Sequence, residues 1–102
     1  MAILIPGATA TDSFTLPVDA SIIQSLRIDY SQEGTFRFSK TKDDCSLNGS
    51  SGTVELTQED TLKFSDGGTA QVQIVLATMG GEVIPSKPIT FLVGTRLNRE
   101  VL

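Results

Sequence analysis

Alternation is the feature that most restricts this chain. In five short segments an apolar residue returns at every second position. LRIDY sets Leu26, Ile28 and Tyr30 against Arg27 and Asp29, and TFRFSKT sets Phe36 and Phe38 against Arg37 and Ser39. TVEL sets Val54 and Leu56 against Glu55, and AQVQIVL sets Val72, Ile74 and Leu76 against Gln71, Gln73 and Val75. ITFLV sets Ile89, Phe91 and Val93 against Thr90 and Leu92. Successive side chains of a strand point to opposite faces, so each segment offers one oily side and one mostly wet side. SFTL, with Phe14 and Leu16, adds a shorter strand that ends at Pro17.

Between these runs stand residues that tolerate positive φ: Glu33-Gly34, Asn48-Gly49, Asp66-Gly67-Gly68 and Gly80-Gly81. TQEDTLKF departs from alternation. Thr57 there can cap a short helical turn over 57–63, with Glu59 and Asp60 near its positive end and Leu62 and Phe64 anchoring it. Pro85 and Pro88 deny backbone donors, which makes 83–88 an edge or a kinked approach to the last strand. The expectation is one all-β domain over 1–102, an immunoglobulin-like antiparallel sandwich of six or seven strands. Residues 1–11 are expected to be a flexible lead-in and 95–102 a C-terminal tail. The expected core is Phe14, Leu26, Ile28, Tyr30, Phe36, Phe38, Leu56, Leu62, Phe64, Val72, Ile74, Leu76, Ile89, Phe91 and Val93.

The residue inventory narrows the chemistry. Eight basic residues against twelve acidic ones leave a net charge of −4, and the basic residues are scattered, which argues against nucleic acid. The chain has no histidine, which removes the commonest general base and metal ligand. Cys45 is the single cysteine, so no internal disulfide forms, and a thiol nucleophile there lacks its usual imidazole partner. We read Cys45 as a small buried or half-buried filler, expect no enzyme, and expect no cofactor. MAILIPGATATDSF lacks the basic start and longer apolar run of a secretory signal, and no segment nears the ~20 apolar residues that span a bilayer. The expectation is a complete product, made and kept in the cytoplasm of its cell, with no membrane partner.

Two constellations invite a chemical reading. From Asp44 the chain runs DCSLNGSSGTVE, with oxygen-bearing Asp44, Ser46, Asn48 and Glu55 at positions one, three, five and twelve, and Gly49 at six. That spacing approximates a calcium loop of the EF-hand kind. Against it, Ser46 is a poor ligand, the flanks read as strands, and Glu55 on an extended chain does not fold back. An Asn48-Gly49 turn between two strands is the simpler reading. The paired carboxylates Asp43/Asp44 and Glu59/Asp60 sit on neighbouring residues, which face opposite ways on a strand and make poor acid–base pairs. What remains is apolar surface on the wet side. Val75 and Leu92 oppose the core set, and Leu97, Val101 and Leu102 follow the last strand, so these five are the candidate protein–protein contacts. A non-catalytic module that binds carbohydrate or a cell surface is the alternative. It lacks tryptophan for a stacking platform.

Three segments also carry a resemblance. FTLPVDASIIQSLRIDYSQEG, TKDDCSLNGSSGTVELTQEDTLKF and AQVQIVLATMGGEVIPSKPITFLVGTRLNREVL together resemble small tail-associated proteins of phages and prophages of Gram-positive bacteria. They are also similar to the immunoglobulin-like amino-terminal domain of the phage upper baseplate protein family. The resemblance covers the chain from about Phe14 onward, and rests on order and pattern rather than on a catalytic motif. It implies a structural role in a virion tail assembled in the host cytoplasm. It also implies other tail or baseplate proteins, or further copies of this chain, as partners, and no active site.

Overall fold

The computed structural model describes residues 3–102 and contains nine strands in two sheets. They are β1 (Ile3–Leu4), β2 (Ala10–Thr15), β3 (Ile23–Gln32), β4 (Thr35–Thr41), β5 (Cys45–Asn48), β6 (Ser51–Leu56), β7 (Thr69–Thr78), β8 (Val83–Pro85) and β9 (Ile89–Val93). The larger sheet has the order β1-β9-β7-β3-β4, with β8 also on β7, and the smaller one is β2-β6-β5. In chain order, the strands β2 to β7 and then β9 fall into the two sheets as B, C, C′, D, E, F and G do in a variable-type immunoglobulin sandwich. The all-β, immunoglobulin-like expectation therefore holds. The two extra short strands raise the count above six or seven.

Local chemistry accounts for the connections. Glu33 and Gly34 have φ of 51° and 78°, the double positive φ of a two-residue turn whose twist suits the β3–β4 hairpin. Gly49, at φ 59°, begins the two-residue turn that joins β5 to β6. After β6, Thr57 caps a one-turn helix, α1 (Gln58–Thr61), through its side chain, which accepts from Asp60 N. β8 and β9 lie end to end along the same flank of β7, with partners Val75–Ala77 and Thr69–Val72 respectively. Ser86 fills the break: its N–H donates to Ile74 O at 2.7 Å, and its hydroxyl accepts from Ile74 N at 2.9 Å.

Four rings centre the core. Tyr30 stacks on Phe38 at 4.7 Å between centroids, and Phe64 meets Tyr30, Phe38 and Phe91 edge-on at 5.7–6.3 Å. Leu26, Ile28, Val54, Leu56, Leu76 and Val93 close around them, joined by Leu4, Leu16, Ile23 and Ala70. Two expected core residues are not there. Phe36 is 62% exposed, because the ladder slips between Tyr30 and Ser31: Tyr30 pairs with Phe38 but Ser31 pairs with Phe36. Arg37 is the extra residue of that bulge, and it turns Phe36 to the outer face. Ile89 is 58% exposed; it shares its face with Phe91 but sits where the smaller sheet does not reach. Phe14, Leu62, Val72 and Ile74 are half-buried.

The amino-terminal expectation also changes. Residues 1 and 2 of the expected lead-in lie outside the described residues, but 3–11 are not loose. Ile3 and Leu4 pair in parallel with Leu92 and Val93, Leu4 is buried, and Gly94 N donates to Leu4 O at 2.7 Å. Thr61 fastens the crossing that follows: its hydroxyl accepts from Gly7 N and donates to Ala8 O, both at 2.8 Å. Residues 95–102 form no strand, and Arg99 holds them down. Its guanidinium donates to Leu62 O, Phe64 O and Asp66 Oδ1.

Candidate functional site

The calcium-loop residues are laid out flat. Ser46 and Asn48 on β5 and Glu55 on β6 all stand exposed on the outer face of the smaller sheet. Asp44 lies in the short 3-10 turn before β5, where its Oδ2 accepts from Thr41 N at 2.8 Å and from the Thr41 hydroxyl at 3.2 Å. An antiparallel hairpin spreads these oxygens along a surface and cannot wrap them round one ion. Among the described residues, no group of three or more His, Cys, Asp or Glu is placed to hold a metal.

One member of each carboxylate pair is likewise spent on structure. Asp44 serves the Thr41 turn, and Asp60 is buried beside Lys40, 2.6 Å from Nζ, while accepting from Thr57 N at 2.9 Å. Burial opposes ionisation of Asp60, but the Lys40 ammonium and the Thr57 donors outweigh it and hold the carboxyl below its ordinary value. Cys45 is half-buried against the core, its thiol donating to Thr41 O at 3.3 Å. Burial first, and then the Asp44 charge, push that thiol up, which keeps it protonated and a poor nucleophile. Tyr30 is fully buried and donates to Asp12 Oδ2 at 2.6 Å; burial and this bond raise its phenol.

Of the five candidate contact residues, four are exposed and Val75 is half-buried. Val75 and Leu92 share the outer face of the larger sheet without forming one patch. Leu92 pairs with Thr69, and Val75 lies six residues farther along β7, about 20 Å away at strand rise, beyond Gln71 and Gln73. Leu92 instead meets Ile3, its partner in the parallel pair, with Ile5 close by across Gly94. Leu92 is 56% exposed, Ile3 55% and Ile5 44%, so the three make an aliphatic surface at the β1–β9 edge. Leu97 precedes the Arg99 anchor and Val101 and Leu102 follow it, and all three are exposed. The role of Ile3 and Ile5 in this patch was hidden in the sequence. Their apolar cluster is visible, but only the parallel pairing puts it beside Leu92.

Two inward polar groups also went unforeseen, the buried Gln32 and one oxygen of the half-buried Asp12. Gln32, 2% exposed, donates through Nε2 to Ser65 O at 2.8 Å and Gly67 O at 3.1 Å, and accepts at Oε1 from Ser65 N at 2.7 Å. Its place in the period, two residues after Tyr30, points inward. The other is Asp12, whose Oδ1 is buried with no hydrogen-bond partner among the described residues.

No protein-family model matches the chain, and no curated protein matches it. Among solved structures it is similar to the V domain of amphioxus IgVJ-C2, at 13% identity and a TM-score of 0.37, over 91% of this chain and 99% of that one.

Proposed function

We propose that this chain is a non-catalytic assembly protein: a structural component of a phage or prophage tail, of the baseplate kind, that works through protein–protein contacts. The observation that carries the reading is the aliphatic edge patch of Ile3, Ile5 and Leu92, left in water on a small acidic domain. A contact of this kind needs shape and apolar area rather than reactive groups. Elsewhere Asp44, Asp60 and Cys45 are engaged in a turn, an ion pair and packing. The sequence resemblance to phage tail and baseplate proteins supplies the setting, a virion tail assembled in the host cytoplasm. Tail proteins or further copies of this chain are then the partners.

The alternative, a module that binds cell-surface sugar, would use exposed Phe36 as its stacking ring. Tagging the protein, inducing particles and imaging them by electron microscopy separates the two. The assembly reading expects label at the tail in fixed copy number, and loss of label when Leu92→Asp is made in a protein that still folds. Particles without label would refute it, and binding to glycans by a monomer that needs Phe36 would favour the alternative.

A further inference from the structure

The two sheets are unequal, and the difference leaves a slot. Strand β2 is an edge of the three-stranded sheet, while beneath it the larger sheet runs on from β7 to β8 and β9. From Asp12 in β2 to Pro17, two residues past the strand's end, an open cleft separates this edge from β8 and β9. Phe14 and Leu16 form one wall, Val72, Ile74 and Leu76 the floor, and Ile84 and Ile89 the other wall. The exposure of Ile89 follows from this missing cover.

The β2 wall carries free main chain. Leu16 N donates to Ser50 O at 2.6 Å, which continues the β2–β6 ladder and fixes its phase. In an antiparallel pair the bonded positions alternate, so Asp12 and Phe14 bond to β6, and Thr11, Ser13 and Thr15 turn their N–H and C=O groups to the open side. Within β2 itself there is neither proline nor lysine, and its one charge, Asp12, points inward to Tyr30. Inside the cleft, Asp12 Oδ1 is buried without a donor, although Oδ2 holds the Tyr30 hydroxyl.

We infer that this slot binds one extended segment of another polypeptide, which adds to the small sheet as a fourth strand beside β2. Main-chain bonds to Thr11, Ser13 and Thr15 would supply affinity, and the cleft would supply specificity. The space near Asp12 and Tyr30 is about 60 Å³, room for roughly two waters, whereas near Leu16 and Ile84 it is about 300 Å³. The segment therefore presents a small hydrogen-bond donor, serine or threonine, to Asp12. Four residues away, on the same face, it presents a large aliphatic side chain to Ile74 and Ile84. A second copy joined β2 to β2 does not fit. It would bring its own β8 and β9 overhang into the space that this chain's overhang already fills. These residues are distinct from the Ile3–Leu92 patch, so the two readings stand or fall separately.

The test uses the full chain, ¹⁵N-labelled, and nine-residue synthetic peptides with Ser and Leu four positions apart, in both orders, at about 1 mM, where even weak strand addition registers. One order should slow amide exchange at Thr11, Ser13 and Thr15 at least about tenfold, and Ser→Ala in the peptide should weaken it. N-methylation of the peptide residues that face β2 should abolish binding, and N-methylation of the alternate residues should not. Unchanged exchange at the three amides with either peptide would overturn the inference, as would equal binding by both N-methylated forms. So would a dimer in sedimentation that protects these amides without peptide.

Discussion

Replacing Gln32 by methionine tests whether a single buried amide holds the 62–67 loop to the sandwich. The side chain supplies three hydrogen bonds to main-chain groups of Ser65 and Gly67, and it is 2% exposed. Methionine keeps nearly the same length and volume, which removes most of the cavity contribution and leaves the lost bonds. At about 1 kcal/mol net for each bond, with some rescue by water because Ser65 is itself exposed, the loss comes to roughly 2–3 kcal/mol. For a domain of this size that is a fall in Tm of roughly 8–24 °C. Calorimetry or thermal circular dichroism reads the Tm, and amide exchange reads the loop. Ser65 N–H should exchange far faster in the variant while the amides of β3 and β7 keep their order of protection. A Gln32→Met protein within about 0.5 kcal/mol of the parent, with Ser65 exchange unchanged, would refute the reasoning.

Lys40→Met removes the partner of a buried carboxylate and should cost on the order of 2 kcal/mol at pH 7 by denaturant titration. Because the folded Asp60 carboxyl lies below its ordinary value of 3.8, its contribution is complete above that pH and is lost as pH falls through the folded value. The gap between parent and variant should therefore narrow below pH 3.8, and a gap constant down to acid unfolding would contradict the pairing. Gly52→Ala should cost about 1–3 kcal/mol in the same assay, since a Cβ there would lie 2.5 Å from the Phe14 ring and 2.7 Å from Leu47 Cδ2. Calcium at millimolar concentration should leave the Tm unmoved, and a rise that vanishes in Glu55→Gln would show that the hairpin closes on the ion after all.

The strands were legible because a face buried on one side writes itself as alternation. Thr57 likewise gave the helical turn away by standing just before Glu59 and Asp60. The misses have a common physical origin, in that register belongs to pairs of strands rather than to either strand alone. Phe36 reads as core within TFRFSKT, and only its partner β3 reveals that Arg37 is the extra residue. Ile3 and Leu92 lie at opposite ends of the chain, and each reads as a scattered aliphatic until the parallel pair joins them. Gln32 is a different case. The inward phase of Leu26, Ile28 and Tyr30 leads straight to it, and a reading that followed phase in place of hydrophobicity would have found the amide.

Unequal sheet widths are the least legible property of all, and they govern the surface most. Nothing in ATDSFT marks β2 as an edge, because its inward Phe14 and outward threonines would suit a central strand equally well. The marks of the edge lie elsewhere. Ile3 and Leu4 pair with β9 in the larger sheet, and among the described residues no strand flanks β2 on its open side. Ile89 then keeps the inward phase of its strand but has nothing above it, and the Asp12 carboxylate, which a flanking strand could have served, keeps one oxygen unpartnered. An exposed isoleucine, an orphan carboxylate oxygen and an unguarded row of main-chain groups are separate oddities when taken one at a time. All three border the same slot and follow from one cause, a sandwich whose smaller layer ends a strand short of its larger one.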